Sequence, residues 1–175
     1  HTRMQTMKTS VSRAFKGVDN RFRVGYTTIS SPGATDGTEF QHIDTFELTQ
    51  KNDWFTKLFG ADPNGSTPLR GALSKVGRIY GNKLGADPVQ YSCQQNFTIL
   101  STDGYWNDSD SSVKDLNGSK VGDLDGGSTP RPMYEGPTAV SNSLADIAKY
   151  YYDTDLRTST LGNCTGALGG SIDVC

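Results

Sequence analysis

The 175 residues contain no run of ~20 apolar side chains, so no helical membrane span is expected within them. A basic surplus is also missing: 17 Lys and Arg face 19 Asp and Glu, for a net charge of −2. Phosphate binding needs a basic surface, so a nucleic-acid partner is not expected. There are only two histidines, His1 and His42, too far apart in sequence to suggest a Ser/His/Asp system. No nucleophile, base and oxyanion hole can be assembled from the remaining motifs, and an enzyme is not expected. The three cysteines show no C-x-x-C spacing, which argues against a zinc site.

Hydrophobic residues are scarce at 34%, while 20 glycines point to many turns and long loops. The length suits one domain with a sizeable core. There is no starting methionine or signal peptide, and "HTRMQTMKTS" opens directly on a helical pattern. The sequence therefore reads as starting at a cut. Five Asn-x-Ser/Thr triplets, at Asn64, Asn96, Asn107, Asn117 and Asn163, are what so Asn-, Ser- and Thr-rich a chain produces by chance.

Cys164 and Cys175 bracket the Gly-rich "CTGALGGSIDVC", a spacing that favours a disulfide between them. Pairing of Cys93 with either is also feasible, and buried thiols are the plainer alternative. Because disulfides persist in exported proteins, the chain is expected to be exported.

Periodicity predicts helices near 2–16, 67–81 and 142–153, with a short one in "KNDWFTKLFG". Strands are expected at 22–29, 40–48 and 97–101, the last as the buried core strand. Thr67 reads as the N-cap of the 67–81 helix and Pro68 as its first residue, with Leu69, Leu73, Val76 and Tyr80 as its buried stripe. Ser141 or Asn142 reads as the cap of the last helix. Of the three tyrosines in "YYYD" (150–153), one or two should finish the core. Residues 104–137 read as a mobile, solvent-exposed insertion.

This order predicts an α/β fold with an open sheet flanked by helices, in which ligands sit beyond the carboxyl ends of the strands. Thr67 and Asp103 would then share one rim. A hydroxyl and a carboxylate suit a hard divalent ion, although a helix cap and a turn explain the same two residues. The aspartates of "DSDSS" (108–112) and "GDLDGG" (122–127) complete no EF-hand pattern and read as solvated acidic loops.

"STPLRGAL", "TDGYWND" and "SNSLADIAKYYYDTDLR", in this order, resemble the amino-terminal region of the PilC/PilY family of type IV pilus tip-associated adhesins. The resemblance runs from "RVGY" to "TDLR". It implies a von Willebrand factor A-like, doubly wound open sheet over 1–175, incomplete at both ends and carrying a long insertion at about 104–137. It also implies a metal-ion-dependent adhesion site in which Thr67 and Asp103 are the second and third elements. The first element, an Asp-x-Ser-x-Ser loop, does not precede the first helix, so Mg²⁺ or Ca²⁺ would bind weakly here. The implied role is a non-enzymatic part of a larger protein supporting pilus assembly, twitching motility and adhesion. Its implied place is the bacterial surface or pilus tip, and its implied partners are the tip's minor pilins and a host or surface ligand. The alternatives are a structural or carbohydrate-binding module of another exported protein and, further off, a fragment of a metal-dependent hydrolase.

Overall fold

The computed structural model describes residues 2–30, 35–102, 104–126 and 139–175. Helix α1 (Arg3–Lys16) starts on a reciprocal cap in which Thr2 and Gln5 each bond the other's backbone amide. Strands β1 (Arg23–Thr27) and β2 (Phe40–Thr45) pair antiparallel, with a bulge between Val24 and Tyr26. Gly25 sits in that bulge because a Cβ there would come within 2.8 Å of the Gln41 carbonyl oxygen. Helices α2 (Leu48–Gly60), α3 (Leu69–Tyr80) and α4 (Leu144–Asp153) follow, with short 3₁₀ turns at Asp110–Ser112 and Ser159–Leu161.

The period-2 alternation of β1 distributes its side chains to two sides. Val24 and Tyr26 join the cluster of Phe46, Trp54 and Leu58, closed by Met7, Val11 and Phe15 of α1. There Trp54 stacks on Phe15 at 4.6 Å and meets Phe46 edge-on at 5.8 Å. Arg23 and Thr27 reach the other way, to the Pro88 carbonyl and to Lys75 of α3. On that side a smaller cluster joins Phe40, Ile79 and Ala86. Among the described residues the architecture is mixed α/β, with a two-stranded sheet and four helices, of which α4 packs on α3 rather than on the sheet.

Helices α3 and α4 approach closely because α3 offers no side chain at Gly77, where a Cβ would lie 2.3 Å from the Tyr151 ring. The tyrosine run of α4 separates as helical geometry requires. Tyr151 donates to the Lys114 carbonyl at 2.6 Å, Tyr150 accepts from the Leu116 amide at 3.3 Å, and Tyr152 is exposed. Beyond α4, Arg157 donates to the Tyr80 and Asn163 carbonyls and pairs with Asp87, fastening the C-terminal loop to the end of α3. Cys164 and Cys175 are joined in a disulfide, as their spacing suggests, and Cys93 is free and exposed.

Several expectations need correction. Residues 97–101 form no strand among the described residues, and Phe97 and Ile99 are 77% and 78% exposed. A strand needs a ladder partner, and the described chain offers none there. The segment after Asp103 is not a loose excursion through its described part, since Val113 and Leu116 are buried between α3 and α4. Residues 127–137 of that expected insertion lie outside the described residues. Helix α3 starts at Leu69 with Pro68 in the cap position, so Thr67 is not its cap. The cap of α4 is Ser143, in a reciprocal box with Asp146, rather than Ser141 or Asn142.

Lys75 is buried with its Nζ 4.9 Å from the centre of the Phe40 ring and bonded to the Thr27 hydroxyl. Loss of water pushes its pKa down to about 8, against the opposing pull of Glu39 and Asp36. Above that value the folded chain releases a proton that the unfolded chain still holds, so stability rises with pH. Urea titrations between about pH 7.5 and 9.5 should show this rise, and Lys75→Met should flatten it. Gly77→Ala should destabilise the chain by about 1–3 kcal/mol through the clash with Tyr151. Gly60→Ala, whose Cβ would meet nothing within 4 Å, should change stability by less than about 1 kcal/mol. Equal effects of the two alanines would refute the close-packing account of Gly77.

Candidate functional site

The loop before α3 meets the loop after Asp103 through two hydrogen bonds between Thr67 and Asn107. The Thr67 amide donates to Asn107 Oδ1, and the Thr67 carbonyl accepts from the Asn107 amide at 3.1 Å. Thr67 is half-buried, and no described residue hydrogen-bonds its hydroxyl. Asp103, its expected companion, lies outside the described residues. The structure therefore brings the flanks of the expected site together at Thr67 and Asn107.

Next to this contact lies a junction that the sequence reading passed over. Asp108 accepts from the Gly71 amide at 2.9 Å, serving the first turn of α3 from a distant loop in place of a local cap. Ser112 donates to the same oxygen at 2.7 Å, and the other oxygen accepts from Arg70 Nε at 3.0 Å. Burial tends to raise the Asp108 pKa, but the bonds from Ser112, Gly71 and Arg70 outweigh it and hold the carboxyl below its ordinary range.

Arg70 uses its whole guanidinium. Besides Nε, it donates to the Asp108 carbonyl, to Asp110 at 2.7 Å and to the Asn142 carbonyl at 3.1 Å, and it lies over the Trp106 ring. Asn142 in turn exchanges two hydrogen bonds with Gly122 and takes a left-handed backbone conformation with φ of 61°. Loop, α3 and the start of α4 thus meet on one cation. The sequence did carry a signal for this. A basic residue in the first turn of a helix opposes the helix dipole and calls for a carboxylate from elsewhere.

A second acidic group stands at the foot of α4. Asp123, Asp125 and Asp146 bring carboxylate oxygens within 4.8 Å of one another. Asp146 already accepts from the amides of Leu124, Asp125 and Ser143, so it organises backbone. The reading of 122–127 as a solvated loop holds for exposed Asp123 and fails for buried Asp125.

Arg70→Ala would leave Asp108 buried without its cation and should cost about 3–5 kcal/mol in urea unfolding. The Arg70→Ala, Asp108→Ala double variant should lose less than the sum of the two singles. Because its folded pKa is depressed, Asp108 contributes stability above the ordinary carboxylate range that disappears as pH falls through the folded value. Asp108→Asn should remove that acid-side dependence, and additive single variants would refute the junction.

No protein-family model and no solved structure matches the chain. Curated relatives do. It is 30% identical over 167 residues to the type IV pilus biogenesis factor PilY1 of Pseudomonas aeruginosa strain UCBPP-PA14, covering 90% of this chain and 14% of the relative. It is 27% identical over 172 residues to PilY1 of strain PAK, covering 89% of this chain and 15% of the relative. The PilY1 of strain PAO1 matches at 27% over 176 residues. The chain thus spans about a seventh of the length of these relatives. With nine-tenths of its residues aligned to them, and with the three sequence stretches that first suggested the kinship, the chain is a PilC/PilY-family segment.

Proposed function

We propose that this chain is part of an exported type IV pilus-associated protein that supports pilus assembly and, through it, twitching motility and adhesion. The observation that carries this reading is the match of 90% of the chain to a pilus biogenesis factor. The disulfide supports an exported location, because such bonds persist in oxidising compartments. The partners are minor pilins at the pilus tip and a host or surface ligand. The role is binding and assembly rather than catalysis, in keeping with a junction whose acid and base are both engaged in holding loops.

The finer reading is a von Willebrand factor A-like domain with an adhesion site using Thr67 and Asp103. Two features support it: helices lie to both sides of β1, and the Thr67 hydroxyl bonds none of the described residues beside the loop that follows Asp103. A hydroxyl and a carboxylate supply two of the roughly six oxygens that Mg²⁺ or Ca²⁺ requires. These two residues would hold the ion weakly, and the ion would offer a coordination position to a partner's carboxylate.

In a strain lacking its PilY1, a chimera carrying this chain in place of the aligned segment should restore piliation and twitching. A chimera that is exported and stable yet leaves the cells unpiliated would defeat the proposal. The metal reading has its own measurement. Calorimetric titration of the longer natural protein with Ca²⁺ or Mg²⁺ should show binding that Asp103→Ala abolishes and Thr67→Val weakens. Equal affinity in all three would reduce both residues to loop structure.

A further inference from the structure

We infer that the cavity beyond the end of α3 is a binding site for one uncharged hexose ring, free or at the end of a glycan. The cavity has a volume of about 190 Å³, and four separate stretches of chain line it. They are Tyr80 at the end of α3, residues between 89 and 96, the stretch 154–157 after α4, and Val174 in the disulfide loop. Sites for drug-sized molecules run to roughly 300–1,000 Å³, so this one suits a single ring.

Its walls are fixed before any ligand arrives. Arg157 bonds the Tyr80 carbonyl and pairs with Asp87, which ties the 154–157 stretch to the end of α3 and to the loop that follows. Gln94 accepts from the Gln90 amide at 3.0 Å and donates to the Pro88 carbonyl at 3.2 Å, closing the loop that carries Tyr91 and Ser92. The Ala167 amide donates to the Val89 carbonyl at 2.7 Å, so the loop tied by Cys164 and Cys175 is held against that same segment. Binding here orders little new structure, which removes much of what opposes a small ligand.

The chemistry of the lining selects the ligand. Arg157 is buried, with its guanidinium engaged by the Tyr80 and Asn163 carbonyls and by Asp87, so it offers no cation to a phosphate or carboxylate. Among the described residues, no other Lys or Arg lines the cavity. Asp155 does line it. One of its carboxylate oxygens accepts from the Arg157 amide at 3.1 Å, and the other bonds no described residue. The hydroxyls of Tyr91, Ser92 and Thr154 bond no described residue either.

An anion is therefore repelled, while a ring bearing several hydroxyls finds one carboxylate acceptor and three hydroxyl partners. Tyr91 is 54% exposed, and a ring so placed takes the C–H face of a sugar, with Val89, Leu156 and Val174 left for its apolar edge. An ammonium head would use Asp155 and the aromatic rings but leave the three hydroxyls idle. The neutral sugar uses them all. The site lies ~18 Å from the Thr67–Asn107 contact, at the other end of the 12-residue α3. It depends on neither a metal ion nor a role in the pilus.

Ligand-observed NMR titration of the longer natural protein tests it, with the methyl glycosides of glucose, galactose, mannose and N-acetylglucosamine as probes. At least one should bind with a dissociation constant of about 0.1–10 mM, as befits so small a ligand. Tyr91→Ala should weaken that binding at least about fivefold. Asp155→Asn should weaken it about tenfold. Both side chains are exposed, so thermal melting should not change in either variant. Tyr152→Ala, at an exposed tyrosine outside the cavity, should leave the affinity unaltered. Failure of all four glycosides to bind below about 50 mM would overturn the site. Tighter binding of choline, or of the 6-phosphate of the same sugar, would overturn the uncharged ligand. Unchanged affinity in Tyr91→Ala or in Asp155→Asn would overturn the assignment to this cavity.

Discussion

Arg70 and Asp108 are two opposite charges taken almost wholly out of water, and most of the α3–α4 half is arranged around that fact. Desolvating a guanidinium and a carboxylate costs several kcal/mol each, and the pair repays this only when every remaining donor and acceptor is satisfied. Here the carboxylate also serves the Gly71 amide and Ser112, while the guanidinium serves Asp110 and the Asn142 carbonyl. The loop of 106–112, the first turn of α3 and the approach to α4 must therefore arrive together. Such a site tolerates little partial formation, which suits a device that sets loop positions.

The helices were legible because their signals are local. Apolar spacing located all four to within a few residues, and Trp54 and Leu58 are core residues as the spacing implies. The strands at 22–29 and 40–48 were legible in the same way, since a hairpin brings its own partner. "NFTIL" has equal strand character but no ladder partner among the described residues, so its pattern foretold a preference that the described chain does not satisfy. Thr67 reads as a cap by residue type. The cap is displaced by Asp108, a residue 41 positions downstream that no local rule connects to it.

Around the expected site, the meeting of two loops was legible and the buried ion pair beside it was not. Sequence pointed to the loops around Thr67 and after Asp103, and these loops do meet, through Thr67 and Asn107. It passed over Arg70 because an arginine inside "STPLRGAL" looks like a solvated face until its carboxylate partner is placed. "DSDSS" read as solvated for the same reason. Burial of polar groups is a property of pairs brought together by the fold, and single-residue preferences treat each member as exposed.

The disulfide has a consequence for timing. Val174 is buried against the loop it closes, its amide bonded to the Cys164 carbonyl, and Thr165 bridges Asp173 across the same small ring. All three contacts lie within the stretch that the Cys164–Cys175 bond ties shut. In a reducing compartment that stretch pays the full entropy of loop closure, and its last residues are held by little else. Until the bond forms, residues 164–175 would thus stay open and pliable, and oxidation would be the step that closes them.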